Sequence, residues 1–94
     1  MTVPVYTSAA QSDLNLILAF ISRDKPVAAR NWVKKIEEKC RLIAVNPAIG
    51  QTRPEFGIAV RSSLCGRYVI FYRSKASAVE ILRVLPGDLD ITFL

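Results

Sequence analysis

The apolar positions of the chain change period twice. Val3 to Tyr6 is a short run of strand formers, and Pro4 within it points to a sheet edge or a strand start. From Leu14 the spacing turns helical: Leu14, Ile17, Leu18 and Ile21 form one stripe, which Leu16 and Phe20 widen sideways. Ser8 with Gln11 three residues on reads as a capping box opening this helix. Ser22 to Pro26 interrupts the pattern, and Pro26 suits the first position of a second helix. Its buried stripe is Ala29, Trp32, Val33, Ile36, Cys40 and Ile43, and Asn46-Pro47 stops it. An irregular stretch from Ala48 to Gly57 follows.

The period then shortens to two. Ile58, Val60 and Leu64 alternate with Ala59, Arg61 and Ser63, and Cys65-Gly66-Arg67 marks a hairpin turn. Tyr68 to Arg73 reads as a central strand, Ser74 to Ser77 as a turn, and Ala78 to Leu85 as another strand ended by Pro86-Gly87. The order is therefore strand, helix, helix, strand, strand, strand. Tight turns make the last three an antiparallel meander, with the helix hairpin across one sheet face. The predicted class is α+β, a two-layer sandwich in one domain spanning residues 1–94.

Charge sharpens this picture. Thirteen Lys and Arg against eight Asp and Glu give a net charge of +5, and there is no histidine. Histidine-based acid–base chemistry and Ser-His-Asp triads are thereby excluded, as is a Cys/His zinc site. No cofactor is expected. The excess positive charge sits between Arg23 and Arg41 and again between Arg53 and Arg83. Such blocks serve either as a solvated face or as a surface for an acidic partner or phosphate. In the second block Arg61, Arg73 and Arg83 interrupt apolar strands. They are candidates for target binding, or else pair with Glu55 or Glu80. Tyr68 and Tyr72, four apart on one strand, point to one face as core residues with a hydroxyl at the rim. Cys40 and Cys65 read as two free thiols, Cys40 the more buried. No secretory signal is visible, and the longest apolar run, Leu16 to Ile21, is too short to span a membrane. A cytoplasmic protein is expected.

Several tracts in this order resemble the ParE branch of the RelE/ParE toxin superfamily of bacterial type II toxin–antitoxin modules. They include Asp13-Leu14, Phe20-Ile21, Pro26, Asn46-Pro47, Ile49-Gly50, Arg53 and Val60-Arg61-Ser62. They continue with Gly66-Arg67-Tyr68-Val69-Ile70-Phe71-Tyr72-Arg73 and Ile81-Leu82-Arg83-Val84-Leu85, and close on Gly87 and Asp90. The sequence departs from the family at Pro86, where members often carry histidine, and at Leu89, where they often carry arginine. The resemblance implies a strand–helix–helix–three-strand fold, a ParD-like antitoxin encoded next door, and DNA gyrase as target.

Two readings of function follow. The first is a toxin that inhibits gyrase by binding, with no chemistry of its own and no direct contact with nucleic acid or membrane. Arg61, Arg73, Arg83 and the tail from Gly87 to Leu94 would then be its anchors. The second is a RelE-like ribosome-dependent mRNA endonuclease, drawing on Glu55, Arg61, Arg67, Arg73 and a tyrosine. No tyrosine or histidine follows Leu85, where the RelE branch often places its acid. A nucleic-acid-binding module driven by charge alone is a third possibility. The first helix carries more apolar surface than one sheet face can cover, so Leu14, Leu16, Ile17 and Phe20 are candidates for contact with an antitoxin segment.

Overall fold

The computed structural model describes residues 3–87. Strand β1 (Pro4–Tyr6) leads into helix α1 (Ser8–Ser22), and helix α2 (Pro26–Val45) returns antiparallel to it. A 3-10 turn (Pro47–Ile49), the two-residue strand β2 (Gln51–Thr52) and a second 3-10 turn (Pro54–Phe56) fill the stretch expected to be irregular. The meander β3 (Val60–Cys65), β4 (Tyr68–Ser74) and β5 (Val79–Pro86) follows. The strand order is β1-β5-β4-β3-β2. All pairings are antiparallel except β1 with β5, which run parallel. The two-layer α+β architecture is thus the expected one, with β2 as an additional edge strand. No helix among the described residues is long and apolar enough to cross a membrane.

Pro26 opens α2 at a position that needs no amide donor. The cap of α1 differs from the expected box. Thr7, not Ser8, is the N-cap: its hydroxyl accepts from the Ala10 amide (3.0 Å) and donates to the Leu82 carbonyl (2.9 Å). Gln11 turns instead to Asn15. Thr7 wins because one hydroxyl caps the helix and also fastens it to β5, whereas Ser8 is exposed.

Between helices and sheet lies the main core: Ala10, Leu14 and Ile17 from α1; Ile36, Cys40, Ile43 and Ala44 from α2; Tyr68, Ile70, Tyr72, Val79, Ile81 and Val84 from the sheet. Trp32, Val33 and Ile21 are only partly buried at its margin, and Trp32 meets Tyr68 edge-on with centroids 5.7 Å apart. The opposite sheet face carries a smaller cluster of Val69, Phe71 and Leu85, flanked by Phe56 and Leu82. In β3 the alternation does not predict burial. Val60 and Ser62 are buried, while Leu64 on the same outer face and Ile58 ahead of the strand are exposed.

Strand β5 holds a bulge. Phe71 pairs with Arg83 and Tyr72 with Ile81, so Leu82 is an extra residue. It puts Val79, Ile81 and Val84 on the helix side, and Leu82 and Leu85 outside.

Candidate functional site

Helix α1 presents two adjoining surfaces. Residues 10, 13, 14 and 17 face inward along one stripe. Leu16 and Phe20, one turn apart, stand on its flank and are 67% and 71% exposed. Beside them the sheet end formed by Tyr68, Val84, Leu85 and Pro86 leaves an open groove of about 420 Å³. Ile17 contributes to its floor, and Arg67 to the opposite rim. The four antitoxin candidates therefore divide. Leu14 is sealed in the core and Ile17 nearly so, both held by packing against the sheet; Leu16 and Phe20 remain open to a partner. Leu18 is half-buried rather than a core anchor.

At one end of the groove Asp13 is buried. Its carboxylate accepts from Nε and Nη2 of Arg83 (2.8 and 2.9 Å) and from the Val84 amide (3.0 Å). The β5 bulge lets Arg83 reach α1. The hydrogen bonds to Asp13 outweigh the effect of burial and raise the guanidinium pKa above its already high ordinary value. One signal for this pair was legible along the chain: an aspartate on the apolar stripe of an amphipathic helix, which needs a partner to be buried.

The three target-binding candidates do not converge. Arg83 is committed to Asp13. Arg61, level with Tyr72 on the helix side of β3, donates from Nη1 to the Gly50 carbonyl at 2.8 Å. Arg73 lies at the outer face and donates from Nη2 to Glu80 at 2.9 Å, with its Nε buried and without a partner. Arg73–Glu80 is one of the pairings open from sequence, and Lys75 joins it at 3.5 Å. The hydrogen bond from Arg73 holds the Glu80 carboxyl below its ordinary range. Glu55 pairs with Arg53 instead of any of the three (2.9 Å), and that contact likewise lowers its pKa. Of the tail, Asp88 to Leu94 lies outside the described residues, and the departure at Leu89 lies there too; Pro86 lines the groove.

Two features escaped the sequence reading. Tyr72 is fully buried, yet its hydroxyl donates to the Pro47 carbonyl (2.7 Å) and accepts from the Gly50 amide (2.9 Å). A Cβ at Gly50 would collide with that hydroxyl and lie 2.8 Å from the Ser62 carbonyl, so only glycine fits. Together with Arg61 this ties the loop after α2 to the sheet. On the outer face the Arg53 guanidinium stacks over Phe56 and Phe71, 4.9 and 5.5 Å from their centroids, and donates to the Ser62 hydroxyl at 3.1 Å. Nearby, Gly57 (φ 135°) and Ala59 (φ 64°) turn the chain so that Ile58 projects almost fully into solvent.

Both cysteines are free thiols. Burial pushes the Cys40 thiol up to about 11, against a hydrogen bond with Tyr6 that lowers it. Burial also raises the Tyr6 phenol and, to a lesser extent, the half-buried Cys65, which Lys39 and Lys35 partly offset.

A helix hairpin laid across an antiparallel meander is a fold this chain shares with solved toxin–antitoxin structures of the ParE and RelE kind. The profile described as "ParE toxin of type II toxin-antitoxin system, parDE" matches residues 5–90, and the chain belongs to this ParE toxin family. Among solved structures, the chromosomal ParDE toxin–antitoxin system from P. aeruginosa superposes with a TM-score of 0.80 at 23% identity, covering 94% of this chain and 98% of that one. The toxin–antitoxin complex RelBE2 from Mycobacterium tuberculosis gives a TM-score of 0.66 at 22% identity, covering 90% and 96%. At these identities the two neighbours speak for the fold. Among curated protein sequences none matches.

Proposed function

We propose that this chain is a toxin that acts by binding DNA gyrase rather than by cutting RNA, and that a ParD-like antitoxin neutralises it. Family membership supports the toxin assignment. The observation that carries the choice of binding over catalysis is the commitment of the arginines. Phosphoryl chemistry needs a cation, an acid and a base converging on one reacting atom. Arg61, Arg73 and Arg83 instead fail to converge: Arg61 is held by the Gly50 carbonyl and Arg83 by Asp13 on the helix side, and Arg73 by Glu80 on the outer face. Tyr72, a candidate acid, is buried, and burial raises its pKa. The chain has no histidine to substitute.

Both structural neighbours are toxin–antitoxin systems, and with the open apolar groove beside Leu16 and Phe20 they support an antitoxin partner. The test is a pair of assays on purified toxin: supercoiling by gyrase, and transcript integrity in a reconstituted translation reaction. Blocked supercoiling or trapped cleaved DNA, with intact transcripts, is the expected result. Site-specific cutting of ribosome-bound mRNA with normal supercoiling would replace this reading with the endonuclease one.

A further inference from the structure

We propose that the groove beside α1 binds an amphipathic segment of the antitoxin that carries a carboxylate, and that Arg67 is the residue that reads it. The inference rests on the antitoxin reading above and names its chemistry. The groove surface is apolar apart from two charged residues, Asp13 and Arg67. Asp13 is neutralised: Arg83 and the Val84 amide saturate its carboxylate. It therefore neither attracts a cation strongly nor repels an acid. Arg67 is exposed and has no salt bridge among the described residues. Among the described residues the groove thus carries one unbalanced charge, that of Arg67, over an apolar trough, on a chain of net charge +5. Its electrostatic complement is a segment with apolar side chains for Leu16 and Phe20 and an acid for Arg67.

The backbone under Arg67 is fixed before any partner arrives. Gly66 has φ 59°, and a Cβ there would collide with the Trp32 ring, so the hairpin turn accepts only glycine. The Arg67 carbonyl accepts from the Gly87 amide at 2.8 Å, which joins the turn to the chain leaving β5. The backbone that carries Arg67 is thereby held beside the groove, and little ordering of backbone is needed on binding.

The experiment is calorimetric titration of the full chain with the antitoxin produced from the adjoining reading frame. Arg67→Glu should weaken binding roughly 10–100-fold, since it sets like charges together at a partly desolvated contact. Arg67→Lys should stay within about fivefold, because it keeps the charge. Arg30→Glu on α2, an equal charge change outside the groove, should stay within about threefold. Leu16→Ala should weaken binding about tenfold. Changing the antitoxin's acidic residues singly to Lys should find one that restores affinity for Arg67→Glu. Equal weakening by Arg67→Glu and Arg30→Glu overturns the proposal in favour of long-range attraction. Weakening by Leu16→Ala alone overturns the role of Arg67. Tight binding indifferent to all four variants removes the groove but leaves the antitoxin reading intact, whereas absent binding by the wild-type chain removes that reading. Self-association of the free toxin that Arg67→Glu abolishes would assign the groove to a second copy.

Discussion

Ile70 and Phe71 are neighbours in β4, both fully buried, and they face opposite sides of the sheet. Ile70 is covered by the helix hairpin, where buried side chains from α1, α2, β4 and β5 interdigitate. Among the described residues no α-helix lies over Phe71. It is covered by one short turn, with Phe56 edge-on at 5.3 Å and the Arg53 guanidinium across both rings. One face is thus closed by apolar area, the other by a few oriented contacts. The contrast shows how a short chain can close both faces of a sheet when, among the described residues, only one face carries α-helices. A cation stacked on two aromatics, hydrogen-bonded to Ser62 and Glu55, holds a three-residue turn where a helix would otherwise be required. Such a seal covers only the centre, and Leu64 and Val5 remain exposed.

The sharpest test of this contrast is truncation on either side. Ile70→Ala should cost about 2–5 kcal/mol and Phe71→Ala about 3–5 kcal/mol, read from denaturant midpoints. A Phe71→Ala cost under about 1 kcal/mol would mean the outer cluster is not a core. Next comes the charge pair on the helix side. Asp13→Ala takes the carboxylate away from a partly buried guanidinium and from the Val84 amide, with an expected loss of about 3 kcal/mol. Glu80→Ala on the outer face breaks a more solvated pair, with Arg73 40% exposed in its side chain, and should cost about 0–1 kcal/mol. Comparable losses from the two would erase the distinction between the faces. Tyr72→Phe removes both hydrogen bonds to the loop, leaving the Gly50 amide and the Pro47 carbonyl without the hydroxyl, and should cost about 1–3 kcal/mol, with faster amide exchange at Gly50. Arg53→Ala should cost about 1–2 kcal/mol while raising exchange chiefly around Phe71.

The smallest effects are in pH, and they too divide by face. The Cys40 thiol is raised on folding, so above the unfolded thiol pKa the unfolded chain loses a proton that the folded chain keeps. The stability this thiol contributes is complete below that pKa and is lost as pH rises toward about 11. Cys40→Ala should flatten this alkaline decline. Glu80 has the opposite sign. Its folded pKa is depressed, so its contribution is present above the ordinary carboxyl pKa and fades as pH falls through the folded value. Melting curves of Glu80→Gln should show a shallower acid limb and an unchanged alkaline one.

Local chemistry in the sequence determined much of this molecule. Pro26 sets the start of α2 because a proline lacks the donor that a first turn does not need. Gly66 sets the hairpin between β3 and β4, and the apolar stripe of α1 determines which side turns inward. The family resemblance, carried by the tracts along the strands, extends to the family match over residues 5–90. What the tertiary structure decided are choices between equally local alternatives. Thr7 and Ser8 are both good caps, and only the carbonyl of Leu82 across the sheet selects Thr7. The helical stripe sets Leu16 on the flank of Leu14 but does not say whether that flank is covered, since that depends on where the sheet end lies. Three arginines in apolar strands look alike in sequence. One extra residue in β5 turns Arg83 toward α1, a loop carbonyl takes Arg61, and a glutamate on the neighbouring strand takes Arg73. The partner of a buried charge is set by long-range packing, which a residue's immediate sequence neighbours do not encode, and that is why the groove and its single unpaired arginine emerge only in the folded chain.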